Sequence, residues 1–160
     1  MSRKGVPRAK ARPGSDRTPR AVSIGAVQQE KKPRREFTPS EPDSKLVILF
    51  SRVDVGGPWC LTEISQSDHA GLLGRIRDIE SMTVHSVFSG NGLGKDYPLP
   101  LPNDQANGRL SELEYDDRDE INCLRITGER RLYGFREGPR FYALWWDPHH
   151  KIWPSRKKHT

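Results

Sequence analysis

The chain of 160 residues carries 27 Lys and Arg against 21 Asp and Glu, a net charge of +6, and only 33% hydrophobic residues. This length suits one domain with an extension, and no apolar run approaches the ~20 residues that a membrane-spanning helix needs. The composition therefore excludes an integral membrane protein and favours a cytoplasmic one.

The charge is divided unevenly along the chain. Residues 1–45 hold 12 Lys and Arg against 5 Asp and Glu, whereas residues 46–160 hold 15 against 16. The N-terminal segment is also rich in Pro, Gly and Ser, and a segment with so few large apolar residues cannot offset the entropy that ordering removes. We therefore predict a disordered basic arm over residues 1–44 and a single folded domain over residues 45–160.

The domain opens with two patterns that are typical of strands. Residues 45–53 are apolar and β-branched, and residues 59–64 repeat this character over a shorter length. Residues 56–58, Gly-Gly-Pro, are a turn signal between them. The two segments are therefore expected to pair as a hairpin.

Two helices are predicted next. Ser65 and Asp68 have the spacing of a helix N-cap and its partner. A second short helix, capped by Ser81 or Thr83, is expected to carry Val84, Val87 and Phe88. The first helix presents an apolar stripe at helical spacing, formed by Leu72, Leu73, Ile76 and Ile79.

The remainder of the domain is predicted to be a long loop followed by a meander. Residues 89–108 contain three prolines and several glycines, which argue against regular structure. Residues 121–127, 130–136 and 140–147 are strand patterns separated by tight turns, and residues 151–153 suggest a short fourth strand. The expected fold is α+β, an antiparallel sheet with N-terminal strands, two helices and a three- to four-stranded C-terminal meander. The helices should cover one face of the sheet and leave the other face to solvent.

Cysteine usage favours a reduced compartment. Cys60 and Cys123 each lie in an apolar segment, so two buried free thiols are expected, with a disulfide or a shared metal site as the alternatives. No Cys-x-x-Cys and no Cys/His pair at zinc-finger spacing occurs. We therefore predict no metal and no cofactor.

The meander carries the residues whose chemistry points to a function. Arginine pairs with phosphate oxygens through two parallel hydrogen bonds, so a cluster of arginines on one sheet face is a plausible phosphodiester site. The alternative is a solvated charged face. His149 and His150 follow the last strand and could supply an acid or a base, although neighbours on a strand face opposite ways. The arginines are Arg125, Arg130, Arg131, Arg136 and Arg140.

Tryptophans accompany the arginines in this part of the chain. Trp145, Trp146 and Trp153 could stack on bases, but core packing is the expected role in a domain of this size. Strand alternation predicts that only one of Trp145 and Trp146 faces inward.

The C-terminal sequence resembles a known family. The stretch CLRITGERRLYGFREGPRFYALWWDPHHKIWP is similar to the C-terminal meander of RelE/ParE-like toxins, including the YoeB branch, and SGNGLGKDYPLP is similar to the loop before it. The resemblance covers roughly residues 60–154. The ending WWDPHHKIWPSRKKHT also resembles that of a set of uncharacterised small bacterial proteins.

The toxin resemblance implies metal-independent cleavage of mRNA, often on the ribosome, in a toxin–antitoxin system with a cognate antitoxin protein. It places Arg131 at the strand arginine of the family and His149 or His150 near its C-terminal histidine. The position of the carboxylate base falls at Tyr97, beside Asp96. An endoribonuclease using Arg131, a histidine and Asp96 is therefore expected.

Binding without catalysis is the alternative interpretation. A nucleic-acid- or ribosome-binding protein would use the same cations together with the basic arm, and a module that binds a partner protein would use a sheet edge. The cations expected to contact nucleic acid are Lys95, Arg125, Arg130, Lys157 and Lys158.

Overall fold

The computed structural model describes residues 41–155, and the predicted basic arm up to residue 40 lies outside the described residues. The fold is α+β, as predicted, with five strands and three helices in this range. The strands are β1 (Val47–Leu49), β2 (Gly94–Pro98), β3 (Glu120–Arg125), β4 (Arg131–Glu137) and β5 (Arg140–Asp147). The helices are α1 (Gln66–Glu80), α2 (Val84–Phe88) and α3 (Asp104–Glu112), with 3₁₀ turns at Glu41–Asp43 and Leu61–Glu63.

The strands form one mixed sheet in the order β1-β5-β4-β3-β2. β2 to β5 pair antiparallel, which confirms the predicted C-terminal meander. The prediction of an entirely antiparallel sheet was wrong at the N-terminal strand, because β1 runs parallel to β5. Parallel neighbours require a long crossover connection, and the helices and β2 to β4 lie between these two strands in the chain.

Two of the predicted strands are absent. Residues 59–64, expected to form a hairpin with the first strand, instead contain the 3₁₀ turn, where Cys60 Sγ accepts a hydrogen bond from the Thr62 amide at 3.4 Å. Residues 152 and 153 form a bend and residue 151 has no regular structure, so no fourth meander strand is present here. The Ile152 amide donates to the Asp147 carboxylate at 2.8 Å rather than to a neighbouring strand.

The predicted loop over residues 89–108 was also wrong, because it contains β2 and the start of α3. β2 is held by its register with β3, in which Lys95 lies opposite Cys123. α3 begins at a cap, since Asn103 Oδ1 accepts from the Ala106 amide at 3.0 Å. Pairing with β3 stabilises β2 more than the local glycines and prolines destabilise it. Tertiary contacts therefore determine the structure of this segment.

Helix α1 matches its sequence pattern closely. Ser65 Oγ accepts from the Asp68 amide at 3.2 Å, which confirms the predicted N-cap. Three residues of the apolar stripe, Leu72, Ile76 and Ile79, are buried, whereas Leu73 remains 55% exposed. Leu73 therefore lies at the margin of the stripe and not in the core.

Hydrophobic clusters cover both faces of the sheet, so the prediction of a solvent-facing second face was wrong. The first cluster joins α1 and α2 to one face, and the second joins α3 and the flanking loops to the other. Trp146 belongs to the first cluster and Trp145 to the second, with exposures of 3% and 0%. Alternation along β5 holds, but both tryptophans are buried because both sides of the sheet are covered.

Residues 41–44, which the sequence analysis assigned to the arm, contact the folded domain. The Val84 amide donates to the Ser44 carbonyl at 2.9 Å, and Arg136 Nη1 donates to Glu41 Oε1 at 3.0 Å. Residues 41–44 therefore pack on α2 and β4. None of the helices in the described part of the chain is long and apolar enough to cross a membrane.

Candidate nucleic-acid interface

Arg125 and Arg131 lie side by side at one end of the sheet. They are register partners across β3 and β4, and Arg131 is in turn opposite Asp147 of β5. Alternation places Arg125 on the same face as Cys123, and Arg131 on the same face as Tyr133. Cys123 and Tyr133 both belong to the second hydrophobic cluster, so the two arginines lie at the margin of that cluster.

Lys95 of β2 extends this group along the same face. It is paired in register with Cys123, and its Nζ lies 5.3 Å from the centre of the Tyr97 ring. Burial raises the pKa of Tyr97, and the nearby charges of Arg131 and Arg125 oppose this shift. We name the group formed by Lys95, Arg125, Arg131 and His150 the cationic corner.

His150 joins the corner from the loop that follows β5. Its Nδ1 lies 3.2 Å from Ser155 Oγ, and its Nε2 is buried without a hydrogen-bond partner among residues 41–155. Burial lowers the pKa of His150, and the nearby Arg131 charge lowers it further, while Asp147 opposes the shift. The lowered pKa favours the neutral form of the imidazole.

Asp147 organises this loop and is not available as a base. It is 1% exposed. Its carboxylate accepts from the backbone amides of His149, Lys151 and Ile152 at 3.3, 3.0 and 2.8 Å. Three backbone bonds to one buried carboxylate fix the loop, and they hold His150 at a positive φ of 53° that non-glycine residues seldom adopt.

Arg131 itself is only partly engaged. Its Nη1 donates to the carbonyls of Gly128 at 2.6 Å and Arg130 at 3.0 Å, which anchors the guanidinium to the turn between β3 and β4. Among residues 41–155 it has no carboxylate within ion-pair distance. A guanidinium held in this way presents its remaining donors without first breaking an ion pair.

The structure separates Asp96 from the corner. Asp96 lies between Lys95 and Tyr97 in β2, so its side chain points to the opposite face of the sheet. There it accepts from Asn122 Nδ2 at 2.7 Å. The hypothesis that Asp96 serves as the base beside Arg131 is therefore inconsistent with the sheet register.

Of the other predicted site residues, Arg130 and His149 are described by the structure and do not belong to the corner. Arg130 is engaged in an ion pair with Asp68 in the first turn of α1. His149 is exposed, and β5 ends at Asp147, so the two histidines lie in a turn and not on a strand. The predicted phosphate contacts Lys157 and Lys158 lie outside the described residues.

A second polar network was not anticipated from the sequence. Asp54, with a side chain 1% exposed, accepts from Arg109 Nε at 2.8 Å, from Arg109 Nη2 at 2.7 Å and from Trp145 Nε1 at 3.0 Å. The Arg109 hydrogen bonds are the largest of the effects that lower the pKa of Asp54 to about 2. No local signal links these residues, because they are separated by 55 and 91 positions in the chain.

Both cysteines lie within the described residues. Cys60 and Cys123 are buried and free, as expected. Burial raises the pKa of the Cys123 thiol to about 12, so it stays protonated and unreactive near neutral pH. Within residues 41–155 no group of three or more His, Cys, Asp or Glu side chains could hold a metal ion.

Comparison with protein-family models, with curated proteins and with solved structures finds no match to this chain. The resemblance to RelE/ParE-like toxins therefore stays a prediction from the C-terminal sequence.

Proposed function

We propose that this protein binds RNA through the cationic corner. The observation that carries the proposal is the placement of three cations, Lys95, Arg125 and Arg131, at one end of one sheet face, where none of them has a carboxylate partner among residues 41–155. Phosphate oxygens are the ligands that guanidinium and ammonium groups bind most readily when no carboxylate competes.

The contrast with the other arginines supports this assignment. Residues 41–155 hold 13 Lys and Arg against 18 Asp and Glu, a net charge of −5. Six of the ten arginines in this range make ion pairs with a carboxylate. In an acidic domain where most arginines are neutralised, unpaired neighbours concentrate positive potential at one place.

The choice of RNA over DNA rests on the toxin-like pattern of the C-terminal sequence. Ser155 contacts His150 of the corner, with Oγ 3.2 Å from Nδ1. The next residues in the sequence are Arg, Lys and Lys at positions 156–158. In the sequence, three further cations thus directly follow a residue that contacts the corner, which favours contact with more than one phosphate.

The test is a binding titration of the full chain with a short mixed-sequence RNA over a range of salt concentrations. The double substitution of Arg125 and Arg131 by Ala should weaken binding roughly tenfold or more for each lost guanidinium. It should also lower the slope of log K against log salt by about 1 for each lost phosphate contact. A DNA oligomer of the same sequence provides the comparison.

Arg140→Ala is the matched control. Arg140 is exposed at the start of β5, at the opposite end of that strand from Asp147, and no carboxylate pairs with it among residues 41–155. Its loss removes one positive charge from the same sheet, as each single corner substitution, Arg125→Ala or Arg131→Ala, does. Equal weakening by Arg140→Ala and by each single corner substitution would overturn the proposal, since binding would then depend on net charge alone.

Cleavage of the bound RNA is a second candidate, supported by the neutral imidazole of His150 within the field of Arg131. A base must accept the proton of the ribose 2′-hydroxyl, and a cation must stabilise charge on the phosphate. Because Nε2 is enclosed and Nδ1 faces Ser155, cleavage requires the His150–Ser155 contact to open.

The cleavage candidate is tested with a defined mRNA, with and without ribosomes, at matched salt. His150→Gln should lower the rate by roughly 10²–10⁴, whereas Asp96→Asn should leave it unchanged because Asp96 faces the other side of the sheet. EDTA should have no effect. Absence of cleavage by folded wild-type protein in both formats would eliminate this candidate and leave RNA binding untouched.

A further inference from the structure

An aromatic pair lies directly beside the cationic corner. The rings of Tyr97 and Trp153 stack with centroids 4.4 Å apart and planes 22° from parallel. Lys95 Nζ approaches the same Tyr97 ring at 5.3 Å. The Tyr97 ring therefore lies next to both Trp153 and Lys95, so the aromatic pair adjoins the cationic corner directly.

The two rings differ in their relation to solvent. Tyr97 is 7% exposed and belongs to the second hydrophobic cluster. Trp153 packs on the margin of that cluster and remains partly exposed. One side of the indole contacts Tyr97, and the exposed part of the indole is where a further flat ring would stack.

The position of Trp153 is set by its neighbours in the loop. Ile152, adjacent in the chain, is fully buried and its amide donates to Asp147 Oδ2 at 2.8 Å. Asn103 Nδ2 donates to the Lys151 carbonyl at 3.1 Å, which ties the same loop to the cap of α3. A ring that is already held in place loses little conformational entropy when a ligand stacks on it.

We infer that the cationic corner takes single-stranded nucleic acid, with one unpaired base stacked on Trp153 while the phosphate contacts Arg125 and Arg131. This inference rests on the proposed function, which supplies the phosphate contact. Stacking on an aromatic side chain requires a base that is free of its own strand partners, so a duplex cannot use the indole. The stacking contact is tolerant of base identity because every base has a flat π-face.

The experiment measures the affinity of the full chain for three ligands at one salt concentration: a single-stranded RNA, the duplex of the same sequence, and an abasic ribose-phosphate oligomer of equal length. A single-stranded DNA provides a fourth arm. Wild-type protein should bind both single strands more tightly than the duplex and the abasic oligomer. Trp153→Ala should weaken single-strand binding by roughly 5- to 100-fold and leave the abasic affinity unchanged.

Two further variants keep the test independent of folding. Trp153→Leu preserves apolar cover over Tyr97 without a π-face and should behave as Trp153→Ala does, whereas Trp153→Phe should retain most of the single-strand affinity. Thermal unfolding of each variant identifies any loss of structure. Equal wild-type affinity for single-stranded and abasic ligands, or full affinity in a folded Trp153→Leu variant, would overturn the inference.

Failure of the inference and failure of the proposed function give different patterns. If the corner binds phosphate without stacking, the arginine substitutions weaken every ligand and the Trp153 substitutions weaken none. If the corner does not bind nucleic acid, the Arg125 and Arg131 substitutions have no effect beyond that of Arg140→Ala. Both proposals then fall together.

Discussion

Arginines at two places on the domain show how the same side chain takes different roles. At the Asp54 network, Arg109 makes two hydrogen bonds to a carboxylate whose side chain is 1% exposed. At the cationic corner, Arg125 and Arg131 have no carboxylate partner among residues 41–155. The presence or absence of a buried carboxylate thus separates an arginine that stabilises the fold from arginines that are free to bind a ligand. Substitutions at the two places should therefore affect different measurements.

The largest effect on stability is expected for Asp54→Ala. This change leaves the buried Trp145 Nε1 without its acceptor, and an unsatisfied buried donor alone costs about 1–3 kcal/mol. Loss of the Arg109 contact adds to this. Urea unfolding measures the free energy, and Asp78→Ala is the control because its contact with Arg77 is exposed and 4.0 Å long. Equal costs for Asp54 and Asp78 would contradict the structural role of the network.

The glycines before Trp59 offer a steric test of the same network. A Cβ at Gly57 would lie 2.1 Å from Asp54 Oδ2, whereas a Cβ at Gly56 would meet its nearest neighbour, Arg109 Nη2, at 3.5 Å. Gly57→Ala should therefore cost about 1–3 kcal/mol, the usual range for overpacking. Gly56→Ala should change the free energy of unfolding little. A small effect at both glycines would show that the Asp54 carboxylate can move.

Acid should weaken the fold through two carboxylates. Hydrogen bonds from Arg109 lower the pKa of Asp54 to about 2, and those from Arg52 and then Arg118 lower the pKa of Glu137 to about 2. Because each folded pKa lies below its unfolded value, the stabilisation is complete above about pH 5 and is lost as the pH falls toward 2. Unfolding measured from pH 6 downward should show this decline, with a shallower slope in Asp54→Ala. A parallel slope would assign the acid sensitivity to other groups.

The smallest effect on stability is expected at the corner. Arg125→Ala and Arg131→Ala should each change the free energy of unfolding by about 0.5 kcal/mol or less, since neither side chain makes an ion pair in the described domain. The same variants should show the loss of RNA affinity that the proposed function requires. Substantial destabilisation would indicate that the hydrogen bonds from Arg131 to the turn carbonyls stabilise the meander. The RNA affinities would then have to be compared at a temperature where the variants are folded.

Local sequence patterns predicted much of this fold and one part of the candidate site. The apolar stripe and cap of α1 and the three meander strands follow from short-range periodicity, which depends only on neighbouring residues. The grouping of Arg125 and Arg131 follows from the tight turn between β3 and β4, because a short hairpin fixes which residues lie opposite each other.

Long-range partners account for the features that sequence patterns did not predict. β2 and the start of α3 were mistaken for loop because their signals are weak and their stability comes from β3 and the second hydrophobic cluster. The opposite placement of Asp96 and Lys95 depends on the register of β2 with β3, which a Gly- and Pro-rich sequence does not reveal. The Asp54 network joins residues far apart in the chain, so no spacing rule could have identified it.

The sequence alone determined the class of fold, the helix α1, the C-terminal meander and the neighbouring arginines, because each depends on residues a few positions apart. Only the tertiary structure decided that β1 runs parallel to β5, that both faces of the sheet are covered, and that Trp145 and Trp146 are both buried. It also decided which arginines meet a carboxylate. The physical reason is that crossover connections, sheet coverage and ion pairing all depend on contacts between distant segments, whose free energies are not encoded in any one stretch of chain.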